Sequence, residues 1–147
     1  MTRALPMTAL AAVFAAGVTS PALSETAQNL VTVVTSENAQ TQLMAMVLTT
    51  QAVEQGADAQ ILLCGPGGDL ALIDAPESAT TPQPPRGATP QAMLQALIER
   101  GVTVEVCAIY LPGLGAEADV LIDGVGVAQP PAMAGAMLNT SAQVWSF

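Results

Sequence analysis

The sequence predicts an α/β fold, in which a mainly parallel sheet of about five strands carries helices on both faces. A β-branched run at residues 30–35 has the length of a strand, an apolar helical pattern follows at residues 39–55, and residues 58–64 form a second apolar run. Strand, helix and strand in this order make a βαβ unit with parallel strands and a right-handed crossover. The alternation continues along the chain, whose 147 residues suffice for one domain.

Capping and breaking residues bound the two longer helices. Asn38 offers a capping side chain before the first helix, and Gly56 stands where a left-handed C-cap is expected. Thr89 and Pro90 begin the second helix, with Thr as the N-cap and Pro at the first helical position. Gly101 ends that helix. The signals therefore place one helix before the second strand and one before the third.

Two irregular segments lie between the second strand and the second helix. Residues 64–69 form a glycine-rich turn, which lacks the Lys-Ser/Thr ending of a phosphate-binding loop and follows the second strand rather than the first. A tight turn is therefore favoured over a phosphate site. Residues 74–90 contain five prolines. We interpret them as an exposed, extended loop inserted into the domain, in preference to a lid over a site.

The third strand is predicted at residues 100–112, and the rest of the fold is organised around it. The valines at positions 102, 104 and 106 face one way, whereas Glu105 and Cys107 face the other. A strand that is buried on both faces reads as continuously apolar. One face of this strand is therefore expected to meet solvent, a cleft or another subunit.

The last part of the chain continues the alternation of helices and strands. We predict a short helix at residues 116–122, a short strand at 125–128 and a helix that begins at the Pro130-Pro131 pair. Residues 143–147, which hold the only Trp, form the last strand. These elements bring the predicted strands to five.

Residues 1–24 are predicted to be a secretory signal peptide that is cut after Ser24. Arg3 supplies its positive charge, residues 9–18 form its apolar run, and Ala22 and Ser24 are the small residues that a signal peptidase reads. An uncleaved membrane anchor is the alternative, but the apolar run is too short for a comfortable span. We expect a single domain at residues 25–147, in the periplasm or outside the cell, without stable membrane insertion.

The charged residues exclude several classes of partner and enzyme. The predicted mature chain carries 12 acidic residues and two Arg, a net charge of 2 − 12 = −10, so nucleic acid is not an expected partner. The absence of His and Lys removes catalytic triads, most zinc sites and Schiff-base chemistry. The close pairs Met44/Met46 and Met133/Met137 are more typical of a core than of a copper site. We predict no metal and no cofactor.

Cys107 is the candidate functional residue, because open α/β sheets bind ligands at the carboxyl ends of their strands. Its thiol must ionise to act as a nucleophile, which Glu105 opposes; backbone N–H groups, Arg86 or another subunit would have to assist. A buried inert thiol is one alternative. A disulfide with Cys64 is another, but a strand between the two would hold them about 9–10 Å apart, beyond the limit of about 7 Å between Cα atoms.

The chain resembles the DsrE/DsrF-like family, which includes small sulfur-relay subunits and exported proteins. The matching features run in order: the opening strand, the helix that ends at Gly56, the turn at Gly68-Asp69, the strand that ends in Cys107, and residues 144–147. The resemblance implies a flavodoxin-like three-layer sandwich that forms trimers or hexamers. It also implies that Cys107 accepts a persulfide sulfur and passes it on.

We therefore expect an exported persulfide carrier, with a sulfur donor or acceptor protein or a small sulfur compound as its partner. Cys107 is the expected acceptor and Cys64 a candidate second thiol. The candidate site neighbours are Glu105, Tyr110, Gly67, Gly68 and Asp69. Two alternatives stay open: a non-catalytic oligomeric accessory protein whose cysteines are structural, and a protein that binds a small ligand at the glycine-rich turn.

Overall fold

A computed structural model describes residues 28–147, so the predicted signal peptide lies outside the described residues. The strands in this range are β1 (Asn29–Val34), β2 (Asp58–Leu63), β3 (Thr103–Val106), β4 (Val125–Val127) and β5 (Ala142–Ser146). The α-helices are α1 (Ala39–Glu54), α2 (Glu77–Thr80), α3 (Pro90–Glu99), α4 (Tyr110–Leu114) and α5 (Pro130–Met137). None of these helices combines the length and hydropathy that a membrane crossing requires.

The strands form one sheet in the order β4-β3-β2-β1-β5. Every pairing in it is parallel, which confirms the predicted parallel sheet. Consecutive strands lie side by side from β1 to β4, and the order reverses between β1 and β5. The connection from β4 to β5 must therefore cross the sheet from one edge to the other, and it carries α5.

The two longer helices begin and end at the predicted residues. Asn38 Oδ1 accepts hydrogen bonds from the N–H groups of Gln40 (3.0 Å) and Thr41 (3.1 Å), two of the donors that a helix start leaves free. Thr89 Oγ1 accepts one from the N–H of Ala92 in α3. Gly56 and Gly101 follow the two helices with φ values of +92° and +88°, a conformation that favours glycine.

The two faces of the sheet are covered unequally. On one face, alternate strand residues such as Leu30, Ile61 and Val104 pack with the buried side chains of α1 and α3. On the other face, Val31 and Leu62 belong to a much smaller cluster, to which α5 contributes buried Met133. Helices lie on both faces, as predicted. The helical layer on the second face is the thinner of the two.

The third strand is shorter than predicted, and the prediction of a strand over residues 107–112 is wrong. Ordered pairing ends at Val106, and the Tyr110 N–H donates to the Cys107 carbonyl oxygen (2.9 Å) to start a turn that leads into α4. Pro112 has no N–H to continue a sheet ladder, whereas its fixed φ suits a helical turn. The alternation along Thr103–Val106 is confirmed, because Val104 and Val106 are buried while Thr103 is exposed and Glu105 half-buried.

The predicted helix at residues 116–122 is reduced to a 3₁₀ turn at Ala118–Val120. Its end pairs with another segment instead, because the Ile122 N–H donates to the Ala71 carbonyl (2.8 Å) and the Ile73 N–H to the Val120 carbonyl (2.9 Å). An antiparallel bridge between residues 72 and 121 lies between these bonds. Hydrogen bonds to the distant residues 71–73 therefore replace the hydrogen bonds that a helix would have formed here.

The proline-rich segment is not extended throughout. Helix α2 lies within it, and Ala79 of α2 is fully buried in the large core cluster. The part of the segment that holds Pro84, Pro85 and Arg86 is exposed, as predicted. A short helix forms here because one apolar residue gains burial against the neighbouring helices α1 and α3.

Candidate functional site

The two cysteines form a disulfide at the carboxyl edge of the sheet. Cys64 directly follows β2 and Cys107 directly follows β3, and these strands are neighbours. The register pairs Leu63 with Val106, so the next residues along the two strands are the cysteines, with Cα atoms 5.2 Å apart. The premise of an intervening strand is therefore wrong. Both sulfurs lie at strand ends, Cys64 one strand and Cys107 two strands away from β1, where the strand order reverses toward β5.

The backbone on either side of the disulfide is held by the sheet. The Cys107 N–H donates to the Leu63 carbonyl (2.9 Å), and the Cys64 N–H donates to the Val34 carbonyl (2.9 Å). Each cysteine thus extends a ladder of parallel pairing by one hydrogen bond. The sheet pairing therefore holds the two Cα atoms at neighbouring strand ends, in addition to the covalent link.

The disulfide is half-buried on the face of the sheet that α5 covers. Cys64 and Cys107 both pack against the cluster that contains Leu62, Ala128 and Met133. Nearby, Ile109 is 80% exposed two residues after Cys107. The close pair Met133/Met137 predicts a core position for Met133, but not one beside the sulfurs, because that contact joins residues far apart along the chain.

The glycine-rich turn is a 3₁₀ helix at Gly65–Ala71 that packs directly on the sheet edge. A Cβ at Gly67 would overlap the backbone carbonyl of Val34, and a Cβ at Gly68 would overlap the ring of Tyr110. These two glycines are needed because backbone and ring approach them closely. This packing accounts for both residues without a bound ligand.

Tyr110 joins the loop that follows β3 to the glycine-rich turn. Its ring lies against Gly68, and its hydroxyl donates a hydrogen bond to Asp69 Oδ1 (2.7 Å). Burial raises the pKa of the Tyr110 phenol far above its usual value, and the hydrogen bond to Asp69 and the negative charge of that carboxylate raise it further. Tyr110 is therefore a neutral hydrogen-bond donor at physiological pH.

The structure brings together most of the predicted site residues. Those that meet at this edge are Cys64, Cys107, Gly67, Gly68, Asp69 and Tyr110. Glu105 lies farther down β3, half-buried and paired in register with Gly126 of β4. Within residues 28–147 the one salt bridge joins Arg100 to Glu54 (3.2 Å), so Arg86 pairs with no carboxylate there.

The chemistry of the edge is confined to the two sulfurs, one carboxylate and one phenol. Across the described part of the chain, no group of three or more His, Cys, Asp or Glu residues is placed to hold a metal ion. A disulfide whose sulfurs are half-buried can be opened by a thiolate and can re-form, because each sulfur then finds the other in place.

Comparison with known proteins identifies the fold. No protein-family model and no curated protein matches the chain. The crystal structure of the YchN protein from E. coli matches with a TM-score of 0.65 and 21% identity, over 83% of this chain and 100% of that one. MTH1491, a protein of unknown function from Methanobacterium thermoautotrophicum, matches with a TM-score of 0.61 and 12% identity, over 82% and 99%. The chain therefore has the flavodoxin-like α/β fold of YchN, which is a DsrE-like fold.

Proposed function

We propose that the protein is an exported persulfide carrier in which Cys107 accepts the sulfur. The observation that carries this proposal is a half-buried cysteine at the carboxyl end of β3, beside a second cysteine, in a DsrE-like fold. The disulfide lies at the carboxyl edge of the sheet, which is the edge at which open α/β sheets bind their ligands. The position supports a reactive role over a purely structural one.

The loading step begins from the reduced protein. A dithiol first reduces the Cys64–Cys107 disulfide and is itself oxidised to a disulfide. The Cys107 thiolate then attacks the outer sulfur of a donor persulfide. The S–S bond of the donor breaks, a bond forms between that sulfur and Cys107 Sγ, and the donor leaves as a thiolate. Sulfane sulfur passes from donor to Cys107 without net oxidation or reduction.

Glutathione persulfide tests the acceptor role in a background without the second thiol. We expect the reduced Cys64→Ser protein to gain the mass of one sulfur atom, as read by intact-mass spectrometry after the donor is removed. The matched control is the Cys64→Ser/Cys107→Ser double variant, which should gain none. Equal gain by both proteins, or gain by neither, would exclude Cys107 as the acceptor and favour structural cysteines.

Export and self-association belong to the same proposal. The support for export is the charged start, short apolar run and small residues of the first 24 positions, and N-terminal sequencing of the exported protein should begin at Glu25. The support for a homo-oligomer is the resemblance to the DsrE/DsrF-like family, which implies trimers or hexamers. Light scattering should give the mass of a trimer or hexamer; a monomer would contradict this part.

A further inference from the structure

We propose that Cys64 releases the sulfur carried by Cys107 as sulfide, so that the disulfide is the product of a reaction rather than a structural bond. This inference rests on the proposed persulfide at Cys107 and assigns the fate of its sulfur. The protein would then be a sulfane-sulfur reductase, with a persulfide as one substrate and a dithiol as the other.

The sheet places Cys64 beside Cys107. Hydrogen bonds of 2.9 Å from the Cys64 and Cys107 N–H groups to β1 and β2 hold both backbones. The resulting Cα separation of 5.2 Å lies within the range of about 4.4–6.8 Å in which cysteines bridge without backbone movement. In the reduced protein the same bonds remain, so the Cys64 thiol still faces Cys107.

A second contact joins the same two loops independently of the sulfurs. Tyr110, three residues after Cys107, packs on Gly68, and its hydroxyl donates a hydrogen bond to Asp69, which lies five residues after Cys64. Reduction of the disulfide leaves this contact intact. The two loops therefore stay together, and the thiol of Cys64 keeps a high effective concentration at Cys107.

The discharge step conserves atoms and electrons. The Cys64 thiolate attacks Cys107 Sγ, the bond between that Sγ and the outer sulfur breaks, and the outer sulfur leaves with the electron pair as hydrosulfide. The two cysteine sulfurs are oxidised to the disulfide, and the sulfane sulfur is reduced to sulfide. A dithiol then reduces the disulfide and returns the protein to its starting form.

The alternative attack, on the outer sulfur, only moves that sulfur from Cys107 to Cys64. It leaves a persulfide beside a thiol, from which the same disulfide can form. Either route ends in sulfide, because each persulfide has a facing thiol. In the wild type the persulfide is therefore short-lived unless an acceptor takes its sulfur before Cys64 attacks, whereas without the facing thiol it persists.

Comparison of the wild type with Cys64→Ser tests the inference. The reduced proteins receive glutathione persulfide and are alkylated at timed intervals; intact masses and released sulfide are then measured. We expect Cys64→Ser to retain the added sulfur. The wild type should return to the mass of the disulfide form and release one sulfide per chain. Cys64→Ala serves as a second variant, and circular dichroism verifies that each variant is folded.

The outcomes separate this inference from the proposed function. If Cys64→Ser and Cys64→Ala gain no sulfur although they are folded, Cys107 is not an acceptor and both proposals fail. If the variants and the wild type hold the added sulfur equally long, the carrier function stands and the role of Cys64 is overturned. Faster loss of the sulfur in the wild type, with matching sulfide release, supports both.

Discussion

Tyr110 follows a strand end, yet three separate contacts hold it in place. Its ring occupies the space over Gly68, its hydroxyl binds Asp69, and its N–H binds the Cys107 carbonyl. The side chain is 7% exposed, so the phenol has exchanged most of its water for this one carboxylate. The residue acts as a positioning group for the loop that carries Cys107.

Tyr110→Phe tests this role through its dependence on pH. Removal of the hydrogen bond should cost about 1.5–3 kcal/mol at neutral pH, because the acceptor is charged. The folded-state pKa of Tyr110 is raised. Its contribution to stability is therefore complete below the unfolded pKa of about 10 and is lost as pH rises through the folded value. Urea unfolding at several alkaline pH values should show a steeper loss in the wild type than in the variant.

A direct titration provides the control, since Tyr110 is the only tyrosine of the chain. Tyrosinate absorbance of the folded protein should appear well above the usual pH. Asp69→Asn keeps a hydrogen-bond acceptor but removes the negative charge, so its tyrosinate should appear at a lower pH than that of the wild type. Ordinary titration of Tyr110 in the folded wild type would contradict the contact with Asp69.

At the scale of elements, α5 is the weakly attached part of the fold. It crosses the sheet on the thinner face, and within Pro130–Met137 only Met133 is buried. By contrast, α1 buries four residues, Gln42, Ala45, Met46 and Thr49. Met133 belongs to the cluster against which both cysteines pack, so α5 contributes to the apolar cover of the disulfide on this face.

Met133→Ala is expected to weaken this cover. Loss of the buried side chain should cost about 2–3 kcal/mol, and dithiothreitol should reduce the disulfide faster in the folded protein. Met44→Ala is the matched control, because Met44 lies on α1 with 51% of its surface exposed. Timed alkylation after addition of the reductant measures the rates. Equal rates in the two variants would show that α5 does not cover the sulfurs.

The whole molecule is cross-linked between its second and third strands. The disulfide spans a sequence separation of 43, so it closes a loop that holds α2, α3 and β3. A cross-link of this length restricts the unfolded chain and stabilises the folded state by about 4 kcal/mol in the chain-entropy model. Reduction therefore converts the protein to a less stable form with the same sheet.

Urea unfolding with and without dithiothreitol measures this difference. We expect the free energy of unfolding of the wild type to fall on reduction by roughly the loop-closure value of about 4 kcal/mol. The Cys64→Ser/Cys107→Ser protein should resemble the reduced wild type and should not respond to the reductant. A reductant effect of the same size in the double variant would show that the loss does not come from this disulfide.

Most of the fold could be predicted because its signals are local. The caps at Asn38 and Thr89 and the strand pattern of β1 act over a few neighbouring residues, and the structure confirms them. The errors lie where distant partners compete with local preference. Cys107 leads into α4 rather than a longer strand, and residues 120–122 pair with residues 71–73 rather than continue a helix.

The sequence by itself determined the α/β class, the parallel sheet and the cysteine at the end of β3, because periodicity and capping act within each segment. Only the tertiary structure decided that β2 and β3 are neighbours, that Cys64 meets Cys107, and that Tyr110 reaches Asp69. The order of strands follows from the packing of whole segments, so the distance between two strand ends is not encoded near either cysteine.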